Sequence, residues 1–108
     1  MEGTVITMPA VALRGLTVFP AMMIHFDINR KRSVAAVEKA MVSDQKVFLV
    51  TQRQPEVVEP GLPDLYQVGT IALVKQMVKL PGGNIRVMVE GLKRAELLDL
   101  DSEDPMLI

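Results

Sequence analysis

From Met22 to Ile28 apolar and polar residues alternate. Met22, Ile24, Phe26 and Ile28 share one register, and Met23, His25 and Asp27 the other. A period of two predicts a half-buried strand whose outward side carries Met23, His25 and Asp27. From about residue 30 to 42 the period lengthens. Val34, Val37 and Met41 fall at i, i+3 and i+7 among the helix formers Ala35, Ala36, Glu38, Lys39 and Ala40, which predicts a helix with Asn29 as its N-cap. Its first turn is basic, against the helix dipole. Ser43-Asp44-Gln45 then makes a turn, and the apolar run Val47-Phe48-Leu49-Val50 fits a central strand.

The flanks are more irregular. Val5 to Leu13 is apolar and β-branched but holds Pro9, so it reads as an edge strand or one entered after the proline. Gly15 and Pro20 punctuate a loop with Leu16, Val18 and Phe19. Residues 53–67, with Pro55, Pro60, Gly61 and Pro63, form an irregular loop. Thr70 to Leu80 is a long strand, Pro81-Gly82-Gly83-Asn84 a tight connection, and Ile85 to Glu90 its antiparallel partner with Ile85, Val87 and Val89 inward. Gly91 interrupts that pattern as a bulge or bend would, and Leu92 to Asp101 continues as another extended segment. The fold class is therefore α+β and mainly β: a bent sheet or pseudo-barrel of about six strands with one helix beside it.

A length of 108 residues with 49% hydrophobic and 23% charged residues suits one ordered domain, here 1–108. There is no cysteine and a single histidine, His25, which excludes thiolate chemistry and a multi-histidine metal cage. No cofactor or metal is expected. No apolar run approaches the roughly 20 residues of a membrane span, and no secretory signal is visible, so a cytoplasmic location and no membrane partner are expected. Net charge is −1, with seven basic and four acidic residues in 1–54 and five and nine in 55–108. That balance, without aromatic residues among the basic ones, argues against nucleic acid. The apolar end Pro105-Met106-Leu107-Ile108 reads as a cut in a longer chain.

No phosphate-binding loop or nucleophile elbow occurs, and no paired carboxylates sit in an evident cleft, so an enzyme is not expected. His25 has only Asp27 nearby on its face, and reads as an exposed strand histidine. Eight methionines against four aromatic residues are the unusual feature, because methionine suits surfaces that adapt to many partners. Met23 shares the outward register with His25. Met77 falls with Lys75 and Lys79, and Met88 between Arg86 and Glu90, so all three are expected on polar faces. On adjacent strands Met77 and Met88 would lie about 5 Å apart. Such a patch is either a soft binding surface or a docking face for the rest of a longer chain.

Several runs, in order, resemble the start of Lon proteases: Val11-Ala12-Leu13-Arg14-Gly15, Val18-Phe19-Pro20, Met22, Arg30 and Ser33 ahead of the alanine-rich helix, and Val47-Phe48-Leu49-Val50-Thr51-Gln52. Leu65-Tyr66, Val68-Gly69-Thr70, Lys75-Gln76-Met77, Leu80-Pro81-Gly82-Gly83 and Val87-Met88-Val89-Glu90-Gly91-Leu92 with Arg94-Ala95 continue the likeness. The resemblance covers about residues 9–96. His25 stands where many members have proline, and Asn29 where many have glycine. The resemblance implies the PUA-like first lobe of the substrate-recognition domain of an ATP-dependent serine protease. It implies a homohexameric assembly whose helical lobe, ATPase and peptidase modules lie outside this chain. The partners implied are unfolded or misfolded proteins, the remainder of the chain and neighbouring subunits. On this reading Pro20, Ala21, Met23, His25, Met77 and Met88 bind exposed apolar segments. Arg30, Lys31 and Arg32 add electrostatic contacts or mediate association between domains. A stand-alone adaptor or ligand-binding domain of the same fold, or an RNA-binding module, are the alternatives.

Overall fold

The computed structural model describes residues 8–54, 56 and 64–97. Strands β1 (Ala10–Leu13) and β2 (Met23–Ile28) precede helix α1 (Lys31–Met41). Strands β3 (Lys46–Thr51), β4 (Val68–Lys79) and β5 (Ile85–Glu96) follow. The five strands form one mixed sheet in the order β1-β3-β4-β5-β2. Only β1 and β3 run parallel, with Ala10 opposite Phe48 and Leu13 opposite Thr51. The rest is antiparallel, so β2 pairs with the last strand and not with its neighbours in sequence. The first strand begins after Pro9, as the proline demands. The expected residues before Met8, most of the proline-rich loop, and residues 98–108 lie outside the described ones.

The sheet is buried on one face against α1, and on part of the other. Val11, Leu49, Ala72, Val74, Val87 and Val89 meet Ala36, Val37 and Ala40 of the helix in the larger core. The helix stripe is centred on alanines, which let its axis approach the sheet, while Val34 and Met41 pack at its flanks. The helix starts one residue later than expected. Its N-cap is Arg30, without a side-chain cap, and Asn29 is exposed outside it. It ends at Met41, and beyond it Gln45, at a positive φ of 63°, turns the chain while its N–H donates to the Ala40 carbonyl at 2.8 Å. On the opposite face Phe48, Val50, Leu65, Ile71 and Leu97 form a second, smaller core.

Two strand irregularities shape the sheet. Val74 lies opposite Val89 but Gln76 opposite Met88, so Lys75 is an extra residue in β4. Ala72 lies opposite Gly91 but Ile71 opposite Lys93, so Leu92 is an extra residue in β5. The second segment expected after Gly91 is thus the continuation of one strand, which is why five strands are found rather than six. Gly91 is required by space. A Cβ there would overlap the Phe19 carbonyl oxygen and come within 3.0 Å of its carbon and 3.2 Å of the Pro20 Cα. The loop crossing above it is tied to the sheet by the Thr51 hydroxyl donating to the Leu16 carbonyl at 2.8 Å and the Thr70 hydroxyl donating to that of Val18 at 2.6 Å.

Candidate functional site

The outward side of β2 and β5 carries most of the residues singled out in the sequence. Along β2 the side chains alternate as expected, with Met23, His25 and Asp27 exposed and Ile24 and Phe26 half-buried on the core side. Opposite them on β5 stand Glu90, Met88 and Arg86. The next column, on β4, holds Leu73, Gln76 and Val78. Met88 is half-buried because it occupies the middle of three strands, flanked by His25 and Gln76. Met23 is on the outer strand and keeps 57% of its surface exposed.

Pro20 and Ala21 join this surface through a tight turn. The Met22 N–H donates to the Phe19 carbonyl at 3.1 Å, with Pro20 and then Ala21, at φ 69°, between them. That is the geometry of a type II turn, with proline at its second position. The Ala21 N–H donates to the Gly91 carbonyl at 2.9 Å, and the Gly91 N–H donates to that of Met22 at 2.9 Å. The turn is thereby fixed beside the Met23–Glu90 pair.

Met77 does not belong to the surface. The extra residue at Lys75 reverses the alternation of β4 beyond it, so Met77 lies opposite Val87 and packs against the larger core. Val78 takes the outward place instead, with 41% exposure. Met77 and Met88 are therefore on opposite faces, and the expected pairing of the two fails. The basic cluster is elsewhere as well. It heads α1 beyond the far end of β2, roughly 17 Å along the strand from Met23. Arg30 is half-buried and its guanidinium donates to the Gln52 side-chain oxygen. Lys31 is exposed, and the side chain of Arg32 is outside the described ones.

Charge on the surface is balanced in pairs. Arg86 donates to both carboxylate oxygens of Asp27, at 2.8 and 3.3 Å. The hydrogen bond from Arg86 holds the Asp27 carboxyl below its ordinary range, against a smaller opposing effect of burial. Lys75 lies 3.6 Å from Glu90. What remains unbalanced is apolar: Met23, Met88, Val78 and the Pro20-Ala21 turn. Among the described residues no group of three or more His, Asp or Glu is placed to hold a metal ion. No helix among them is long and apolar enough to cross a membrane.

A second feature escaped the sequence reading. Arg53 stacks 4.9 Å above the Tyr66 ring, and Arg94 5.2 Å from the Phe19 ring, with both rings about half exposed. Thr17, Thr51, Gln67 and Val68 complete an open groove of about 450 Å³ beside Tyr66. These partners are distant in sequence, and no periodic pattern marks them.

Residues 7–108 match the family model of the ATP-dependent protease La (LON) substrate-binding domain. The Lon protease of Lachnoclostridium phytofermentans is 56% identical over 100 residues, covering 93% of this chain and 12% of that protein. That of Desulforamulus reducens is 48% identical over 105 residues, covering 97% of this chain and 13% of that protein. The chain thus spans about an eighth of the length of the curated relatives it matches. Among solved structures, the N-terminal domain of Mycobacterium avium complex Lon protease aligns with a TM-score of 0.72 at 19% identity, covering 94% of this chain and 50% of that one. A Lon N-terminal domain protein from Xanthomonas campestris aligns with a TM-score of 0.70 at 11% identity, covering 95% and 57%. The matched family region is a substrate-binding domain and not a catalytic one.

Proposed function

The chain belongs to the Lon substrate-binding domain family, and from that premise we propose that it is a non-catalytic recognition module for unfolded or damaged proteins within an ATP-dependent protease. Its contact surface is the outward side of β2 and β5, made by Pro20, Ala21, Met23, His25 and Met88. The protease it serves acts as a homohexamer in the cytoplasm, with unfolding and cleavage supplied by parts of the protein beyond this chain. Arg30, Lys31 and Arg32, set apart at the head of α1, serve contacts with neighbouring domains.

The observation that carries this reading is the exposure of Met23 beside Met88 on a surface whose charges are already paired. Methionine side chains are unbranched and polarizable, so they adjust to apolar side chains of varied shape. A sequence-tolerant binder needs that adjustability more than a shaped pocket. The weak affinity expected of one such lobe suits a hexamer, where several lobes act on one chain and raise the effective concentration.

The test is an NMR titration of the labelled chain with a chemically unfolded protein and with the same protein folded. Shifts should appear only with the unfolded form and cluster on Ala21, Met23, His25 and Met88. Substituting Met23→Ala together with Met88→Ala should weaken binding. Unchanged binding by that double variant would refute the assignment of the surface.

A further inference from the structure

The surface just described ends at an unprotected strand edge. Among the described residues β2 pairs with β5 alone, and no backbone hydrogen bond joins it to β1. A cleft of about 180 Å³ separates its last residues, Phe26 to Ile28, from Leu13, Arg14 and Leu16. Several of the usual safeguards of an edge are missing from it. The strand holds no proline and no lysine, and its register with β5 is regular from Met23 to Ile28.

Which residues point their backbone outward follows from the ladder. Opposed residues of an antiparallel pair alternate between those that exchange hydrogen bonds and those that do not. The Gly91 N–H donates to the Met22 carbonyl at 2.9 Å, which makes Met22 an inward-bonding position. Ile24, Phe26 and Ile28 share its parity. Met23, His25 and Asp27 therefore turn both N–H and C=O toward the open edge. These are the same three residues whose side chains are exposed on the outward face.

We propose that β2 binds an extended segment of an unfolded protein as an added strand, through the backbone groups of Met23, His25 and Asp27. The proposal rests on the substrate-binding reading and says how tolerance of sequence is achieved. An unfolded chain of any sequence carries unpaired N–H and C=O groups, and strand addition recognises those directly. The charged side chains of the outward face are matched within the domain, Asp27 by Arg86 and Glu90 by Lys75. The added segment that fits is accordingly uncharged. It alternates its side chains between the Met23–His25 side and the half-buried Ile24 and Phe26.

The experiment separates backbone from side-chain recognition. The probes are a reduced, carboxymethylated protein and a short capped peptide alternating valine and threonine, the latter also N-methylated at every residue so that neither edge keeps an N–H. His25→Pro removes an outward N–H while sparing the bonds to β5, and His25→Ala removes the same side chain but keeps the N–H. His25→Pro should bind both unmethylated probes about threefold to tenfold more weakly than His25→Ala, the range of one net hydrogen bond. N-methylation should abolish peptide binding to the wild type, a result that does not depend on the folding of any variant. The amides of Met23, His25 and Asp27 should gain exchange protection with probe bound. If the unfolded protein binds but methylation and His25→Pro have no effect, strand addition is overturned while the substrate-binding reading stands. If neither probe binds, both are overturned. If protection of the β2 amides depends on the concentration of the chain itself, the occupant is a second copy and the proposal fails.

Discussion

Replacing Gly91 with alanine tests how the Pro20-Ala21 turn is held. The Gly91 backbone has an ordinary negative φ, absent from the positive-φ positions, so alanine meets no conformational penalty there. It meets the loop instead: the added methyl would overlap the Phe19 carbonyl oxygen, and both nearby carbon atoms are backbone. No side-chain rotation relieves that, so the turn must lift from β5. Lifting it breaks the two backbone hydrogen bonds between Gly91 and the turn, worth about 0.5–1.5 kcal/mol each. It also separates Phe19 from Arg94, a contact worth about 0.5–1 kcal/mol at an exposed site. Alanine recovers about 0.4–1 kcal/mol through the unfolded chain. The net loss is about 1–3 kcal/mol, or roughly 4–12 °C in melting temperature for a domain of this size. Circular dichroism melts of the wild type and Gly91→Ala measure it, and amide exchange locates it at Ala21. Leu92→Ala, at a neighbouring position with 40% of its surface exposed, is the control and should shift the melt less. A Gly91→Ala protein as stable as the wild type, with the Ala21 amide still protected, would refute the argument.

Two further outcomes follow from the placement of Asp27 and Met77. The hydrogen bond from Arg86, aided by its charge and to a lesser extent by that of His25, keeps the Asp27 carboxyl below its ordinary 3.8. A carboxyl depressed by folding adds stability above its unfolded value and loses it as pH falls through the folded one. An NMR titration should therefore find Asp27 protonating below 3.8, and Arg86→Gln should raise that midpoint; an unmoved midpoint would exclude the pair as the cause. Met77→Ala should cost about 1–2 kcal/mol in urea unfolding, less than a fully buried methionine, and leave binding of unfolded protein intact. Loss of binding without loss of stability would mean Met77 faces outward after all.

The elements that sequence periodicity could read are those that keep one period throughout. β2, α1, β4 and the start of β5 stand within two residues of their expected bounds, while β5 runs six residues past its expected end at Glu90; each of these elements buries one face, and alternation or a helical stripe records that burial. The same alternation puts Met23, His25 and Met88 on the outward side. Met77 departs from its expected face because a bulge leaves no mark in composition: Lys75 looks like any outward residue, yet its presence inverts every later position of β4. Gly91 was visible as an interruption but not as a crossing point, since its neighbour Phe19 comes from a distant part of the chain. The stacking of Arg53 on Tyr66 and Arg94 on Phe19 was hidden likewise, because tertiary structure alone brings those side chains together.

The pairing of β2 with β5 also has a consequence in time. Strand β2 is complete at residue 28, but its partner does not begin until residue 85. At a synthesis rate of about 5–20 residues per second, the interval on the ribosome is on the order of 3–12 s. Throughout it both edges of β2 lie open, and the apolar side chains of Ile24, Phe26 and Ile28 have no sheet to cover them. While it is being made, the domain belongs to the class of molecules it is proposed to capture, and nascent copies are within reach of finished ones.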